Sequence, residues 1–419
     1  MKKIIFLFGF VLAFVAITTT TNAQLARPQI NNIDLKSVLP IDQNVKTGQL
    51  DNGMKYYIRT NKKPEKRAEL MLAVKVGSVV EDEDQRGLAH FCEHMAFNGS
   101  KNFPKNDLVN YLESIGMRFG ADLNAYTSFD ETVYMLTVPT DTAKILHKGF
   151  DVLEDWAHNV SYDETEINKE RGVVTEEWRL GKGAFDRIMK KQLPLELYKS
   201  KYAERLPIGD TMILKHCPSD NLRRFYKEWY RPDLMAVIAV GDFDKNDIEK
   251  LIKEHFGNIP NPTNERKREK FTIPFHKETL ISIATDKELP QTIAQIMIKH
   301  DKHDPKLAGT YRMGIVERLI NGMMQMRLDE LTRKPNPPFV QAGAGSESFL
   351  GDKTVYGIGA LVKENEIKSG LEAALTEAYR ASKSGFNQTE LDRQKESYIR
   401  DMEQLYDEKD KTESKNYAR

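Results

Sequence analysis

The stretch His90-Phe91-Cys92-Glu93-His94 decides how this chain is read. Wound as an α-helix of about 3.6 residues per turn, residues four apart stack on one face, so both imidazoles can grip a single metal ion. Glu93 follows His90 by three residues and shares that flank, where its carboxylate can reach a water held by the metal. Leu88, Phe91 and Met95 fall on the opposite, core-facing stripe. The pattern is the inverse of the H-E-x-x-H zinc signature and has the same mechanics. Two histidines at this spacing also occur on plain exposed helices, so a third ligand elsewhere must decide. A purely structural zinc site fits poorly, because such sites are rich in Cys and the chain has only 2.

Catalytic zinc usually takes three protein ligands and leaves one position for water. His147 and His158 each stand alone on a helix, where a packing or surface role is commoner. Glu170 and Glu177 are the better candidates. Seven residues is nearly two turns, so both carboxylates share one face of a helix that Asp163 opens and that runs to about Leu180. One can bind the metal while the other orients a ligand or the attacking water.

The whole chain bounds these readings. Its 419 residues are too many for one ordinary domain, and 40% hydrophobic content is enough for two sizeable cores. Lys plus Arg balances Asp plus Glu at 62 each, with no long basic block, which argues against a nucleic-acid partner. Residues 1–23 read as a secretory signal: Lys2 and Lys3, an apolar run from Ile4 to Ile17, then Thr21-Asn22-Ala23 as a small-x-small cleavage site. That run is short for a bilayer span of about 20 residues, so no stable membrane span is expected once the signal is removed. The expected location is therefore exported, periplasmic or secreted. Cys92 and Cys217 could pair in an oxidising compartment, but two free, buried thiols are the plainer expectation.

Along the chain, 24–45 reads as a loose leader and 46–257 as the zinc-binding domain. Lys46–Arg59 reads as a hairpin around Asp51-Asn52-Gly53, Leu70–Val80 as a strand, and Glu81–Asp84 as a solvated acidic turn in which Asp84 could cap the metal helix. Leu108–Gly116 and Ala143–Asn159 read as helices, with the hairpin Asn124–Pro139 between them. Residues 182–210, with Pro194 and Pro207, read as irregular; Asn221–Tyr230 reads as a helix and Leu234–Val240 as a buried strand. The Pro-containing, charge-dense stretch 258–274 reads as a linker. A second β-then-α domain, 275–419, follows. In it Thr279–Thr285, Thr292–Ile298 and Thr354–Val362 are expected strands, and Leu307–Thr332 and Glu366–Ser384 expected helices. Gly343-Ala344-Gly345 is an expected turn, and Thr389–Arg419 a charged helical pattern that stops as if the second domain were cut short.

The sequence His90-Phe91-Cys92-Glu93-His94-Met95, followed by Glu170-Arg171-Gly172-Val173-Val174-Thr175-Glu176-Glu177, resembles the pitrilysin/insulinase family of zinc metallopeptidases, the inverzincins. Gly87-Leu88-Ala89, Asn124-Ala125-Tyr126-Thr127 and Trp229-Tyr230-Arg231-Pro232 extend the likeness, which runs from about residue 45 to the end and is closest to bacterial periplasmic-type members. The resemblance implies an α+β fold of two related α/β-sandwich domains, each an antiparallel-rich sheet with helices on one face, forming the N-terminal half of a clam-shell metallopeptidase. It implies one Zn2+ held by His90, His94 and Glu177, with Glu170 as a supporting residue and Glu93 as catalytic base. Asn124, Ala125, Tyr126 and Thr127 would be the edge strand that binds the peptide substrate, and Phe97 would line the cleft. A second homologous half, in the same longer chain or a partner, would complete the chamber. The activity implied is a zinc-dependent endopeptidase acting on peptides or small unfolded proteins; the alternative is a non-catalytic peptide-binding or assembly subunit of the same fold.

Overall fold

The computed structural model describes residues 33–418. The expected signal and residues 24–32 lie outside the described residues. A first sheet collects β1 (Val45–Gln49), β2 (Lys55–Thr60), β3 (Arg67–Val74), β4 (Leu123–Thr127), β5 (Thr132–Pro139) and β6 (Met235–Gly241), in the order β1-β2-β6-β3-β5-β4. Only β2 and β6 run parallel; every other neighbouring pair is antiparallel. Between the strands come α1 (Leu88–Met95), α2 (Asp107–Ser114), α3 (Ala143–His158), α4 (Glu164–Leu180), α5 (Ala184–Glu196), α6 (Thr211–His216) and α7 (Ser219–Trp229), and α8 (Lys245–Phe256) follows β6.

The strands alternate faces, and that alternation sorts the core. Leu70, Leu72 and Val74 of β3 and Val237 and Ala239 of β6 point into one large core shared with Phe91, Phe150, Trp156 and Phe225 from the helices. Met71 and Val240 point to the opposite face. Each large side chain fully buried there contributes about 1.5–3 kcal/mol relative to exposure.

Residues 257–291 form no helix or strand. A second sheet then holds β7 (Thr292–Asp301), β8 (Gln341–Ser348) and β9 (Lys353–Val362) in the antiparallel order β7-β9-β8. Helices α9 (Ala308–Thr332) and α10 (Ile367–Ser384) pack on it around Leu328, Phe339, Ile358 and Ala374. After α11 (Gln388–Asp407), α12 (Ser414–Ala418) returns to the first sheet. There the Ser414 N–H donates to the Lys63 carbonyl at 2.6 Å, Asn61 Nδ2 donates to the Thr412 carbonyl at 3.0 Å, and Ala418 covers Met71 and Val240. The fold is thus α+β, with antiparallel-rich sheets and helices packed against them. No helix among the described residues is long and apolar enough to cross a membrane.

Several local expectations are corrected. Residues 182–210 are not irregular: they hold α5, and Pro194 falls in its last turn, where the N–H it lacks costs the helix one of its closing bonds without ending it earlier. Gly343-Ala344-Gly345 is not a turn but the middle of β8, because Gly343 and Gly345 pair in register with Gly359 and Gly357 of β9 and the ladder needs only backbone. Thr279–Thr285 forms no strand. The strand expected over Leu70–Val80 ends at Val74, and Ser78–Val80 is a single 3-10 turn. The acidic run is not all solvated, since Glu81 is fully buried. Asp84 does not cap α1; it pairs with Arg224 at 2.8 Å. Cys92 and Cys217 are both free and buried.

Candidate metal centre

Helix α1 is short and begins at Gly87, whose φ of 100° is left-handed and suits glycine. A Cβ there would also lie 2.9 Å from the Cα of Gly209, so the two glycines let α1 start tight against the segment leading into α6. Glu81 accepts hydrogen bonds from the Gly87 N–H at 3.0 Å and the Ala89 N–H at 2.8 Å, satisfying donors that the first turn leaves open. Burial pushes its carboxyl up to about 8, against the pull of those two N–H groups. Phe91, Leu88 and Met95 are fully buried, which turns His90 and His94 to the other flank.

On that flank the two imidazoles meet edge to face, ring centroids 4.7 Å apart. His90 Nε2 lies 3.3 Å from His94 Nε2. Glu177, reaching over from α4, places Oε2 3.2 Å from His94 Nε2 and Oε1 3.7 Å from His90 Nε2. A tetrahedral ion with bonds of about 2.0–2.2 Å needs its donors about 3.3–3.6 Å apart, so this set of two nitrogens and one carboxylate fits Zn2+. Glu170, seven residues before Glu177, accepts from His94 Nδ1 at 2.7 Å. That bond assigns the proton to Nδ1 and leaves the Nε2 lone pair facing the other donors. His90 differs: its Nδ1 is buried and has no hydrogen-bond partner among the described residues.

The electrostatics follow from burial. Desolvation, with help from His94, lowers His90 to about 4, so it stands as a neutral donor. Burial also works to lower His94, but the Glu170 hydrogen bond and the nearby carboxylates outweigh it and leave it raised. Burial raises Glu93, opposed chiefly by the hydrogen bond that Thr127 Oγ1 donates to its Oε2 at 2.5 Å. Thr132 donates to the Val76 carbonyl at 2.9 Å, so it does not compete for Glu93.

The remaining expected residues sit around this group. Asn124, Ala125, Tyr126 and Thr127 lie on β4, an edge strand whose one neighbour among the described strands is β5. Asn124 and Tyr126 are exposed, and the Ala125 N–H is taken by Asn124 Oδ1 at 2.9 Å. Phe97 is half-buried among Phe119, Tyr134 and Trp156, with the exposed ring of Phe119 5.6 Å away. His147 and His158 are not part of the centre. A second donor group, Asp151, Glu154 and His255, joins α3 to α8, but there Lys148 already neutralises Asp151 at 2.7 Å and His255 bonds Glu154 at 2.6 Å. Sequence reasoning missed Glu81 and the grip of Thr127 on Glu93. Neither has a local signal, because each bond depends on how distant segments meet.

Residues 56–207 match the family described as Insulinase (Peptidase family M16), and residues 217–398 match Peptidase M16 inactive domain. The chain is 38% identical over 311 residues to a zinc protease PQQL-like protein of Arabidopsis thaliana, covering 74% of this chain and 32% of that protein. It is 34% identical over 363 residues to the probable zinc protease PqqL of Haemophilus influenzae, covering 84% of this chain and 38% of that one. It therefore spans about a third of the length of these curated relatives. The crystal structure of the first half of the periplasmic protease PqqL from Escherichia coli superposes with a TM-score of 0.83 at 29% identity, covering 90% of this chain and 81% of that one. The chain belongs to peptidase family M16, the pitrilysin/insulinase family, and corresponds to the N-terminal half of its two-half members.

Proposed function

We infer that this chain carries the metal-binding half of a zinc-dependent endopeptidase that hydrolyses peptides or small unfolded proteins. The observation that carries the reading is the convergence of His90, His94 and Glu177 at metal-donor spacing, with the Glu93 carboxylate on the same helix. His90, His94 and Glu177 would hold the ion. Bound zinc would supply a Lewis acid, lowering the pKa of a water to about 7 and polarising the scissile carbonyl. Thr127 holds Glu93 Oε2, so Oε1 is the atom that takes the water's proton and passes it to the leaving amine. Glu170 keeps His94 in the tautomer that binds.

The peptide lies along β4 as an added strand, held by main-chain hydrogen bonds that ask little of its sequence. An incoming strand displaces the Asn124 side chain from the Ala125 N–H. Phe119 and Phe97 offer an apolar wall beside that edge. A second homologous half closes the chamber, and the protein works outside the cytoplasm, as the description of the Escherichia coli relative as periplasmic supports.

The test is metal analysis of the full-length gene product, with cleavage of a mixed peptide library in the presence and absence of chelator. Glu93→Gln should retain the metal and lose hydrolysis by about 10²–10⁴-fold. Normal turnover by Glu93→Gln would refute the base assignment. Stoichiometric zinc without any hydrolysis by the wild type would favour a non-catalytic binding subunit.

A further inference from the structure

His94 and His90 are held in different ways. The His94 ring is oriented by its own side-chain bond to Glu170, whereas His90 Nδ1 is buried without a partner among the described residues. The direction of His90 Nε2 therefore depends on the backbone of the first turn of α1, one residue after Ala89. Gly87 opens that turn and has no side chain to cap it. The capping comes instead from Glu81, fully buried, whose two oxygens span the Gly87 and Ala89 N–H groups. Glu81 is itself anchored. Its carbonyl accepts from Arg205 Nε at 3.0 Å, and the Arg205 carbonyl accepts from Ser78 Oγ at 2.5 Å.

We propose that Glu81 is a positioning residue for the metal centre: it fixes the start of α1 and so aims His90, doing through the backbone what Glu170 does for His94 through the side chain. This rests on the metal reading of the same site. Among the described residues, no other side chain bonds the backbone of that first turn. The two carboxylates thus divide the work, one for each imidazole, and both stand outside the donor set.

The experiment is zinc affinity of the full chain by chelator competition, with Co2+ in place of zinc as a spectroscopic report on donor geometry. Glu81→Gln swaps one acceptor oxygen for a donor that faces an N–H. The expected result is about tenfold weaker zinc binding with an altered Co2+ visible spectrum, the scale seen when a group that orients a ligand is lost. Affinity within about twofold of wild type and an unchanged Co2+ spectrum, whatever the melting temperature, would overturn the proposal and reduce Glu81 to a cap that serves stability alone. Asn387→Ala, which removes the cap of the distant α11, is the control that should lower stability and leave zinc affinity alone. If Glu81→Gln does not fold, amide exchange of the wild type decides: the Ala89 amide should be strongly protected even without zinc, and exchange like that of an open first-turn amide sinks the idea. A wild-type chain that takes up neither Zn2+ nor Co2+ removes the metal reading itself, an outcome distinct from an unperturbed Glu81→Gln.

Discussion

In the first sheet, Asn61–Lys66 joins β2 to β3, and β6 lies between those two strands. In the second, residues 286–291 make a link of the same length from the apolar run Thr279–Thr285 to β7, yet no described strand lies beside β7 on that side. The rest of the plan agrees: β7-β9-β8 repeats the antiparallel order β3-β5-β4, and α10 follows β9 as α3 follows β5. Where β6 is present, Tyr56 and Ile58 of β2 are 6% and 0% exposed; where no described strand fills its place, Ile281 and Ile283 are 76% and 87% exposed. Likewise α3 is covered by α8, while the stripe Ile367, Leu375 and Tyr379 on α10 is open. Alternating apolar residues are a request for a strand, and hydrogen-bonding neighbours on the sheet grant it.

The largest expected contrast is in packing. Ile58→Ala should cost about 2–5 kcal/mol in denaturant unfolding, because it opens a cavity in a closed core. Ile283→Ala, at the matching place in the second region, should stay within about 0.5 kcal/mol of wild type. Equal costs for the two would break the comparison. Next comes pH. His90 sits near 4 in the folded chain against 6.5 for the free side chain, so the unfolded state binds the extra proton between those values. The His90 contribution to the stability of the metal-free protein should therefore be complete above about pH 6.5 and fall by up to about 3 kcal/mol as pH drops toward 4, while Glu81, raised from 4.5 to about 8, acts with the opposite sign between those values. A His90→Asn variant whose melting temperature follows pH across that window just as the wild type's does would show that His90 is not buried as a neutral ring. Smaller still, Thr127→Val should lower kcat of the full-length enzyme about tenfold by freeing the Glu93 carboxylate, with Thr127→Ser restoring it. Caps should show no contrast at all. Asp163→Ala on α4 and Asn387→Ala on α11 should each cost about 1 kcal/mol, since a cap needs only its own helix.

What could be read from the residues was what local periodicity encodes. The α1 motif, the β4–β5 hairpin, α3 and the Asp163-capped α4 all depend on neighbours within a few positions, and the spacing of Glu170 and Glu177 put both on the face that meets α1. What could not be read depends on distant partners. The insertion of β6 between β2 and β3, the burial of Glu81 beneath α1, and the all-backbone pairing of four glycines in β8 and β9 leave no periodic trace. The second region misled most, because Thr279–Thr285 carries a strand pattern without the strand beside it.

The return of α12 to the outer face of the first sheet makes the chain fasten onto itself. A protease that nicks the exposed stretch between α8 and β7 would cut one covalent tie and leave this one. The two pieces should then travel together through a sizing column and part only in denaturant, so an apparently intact molecule could already be severed.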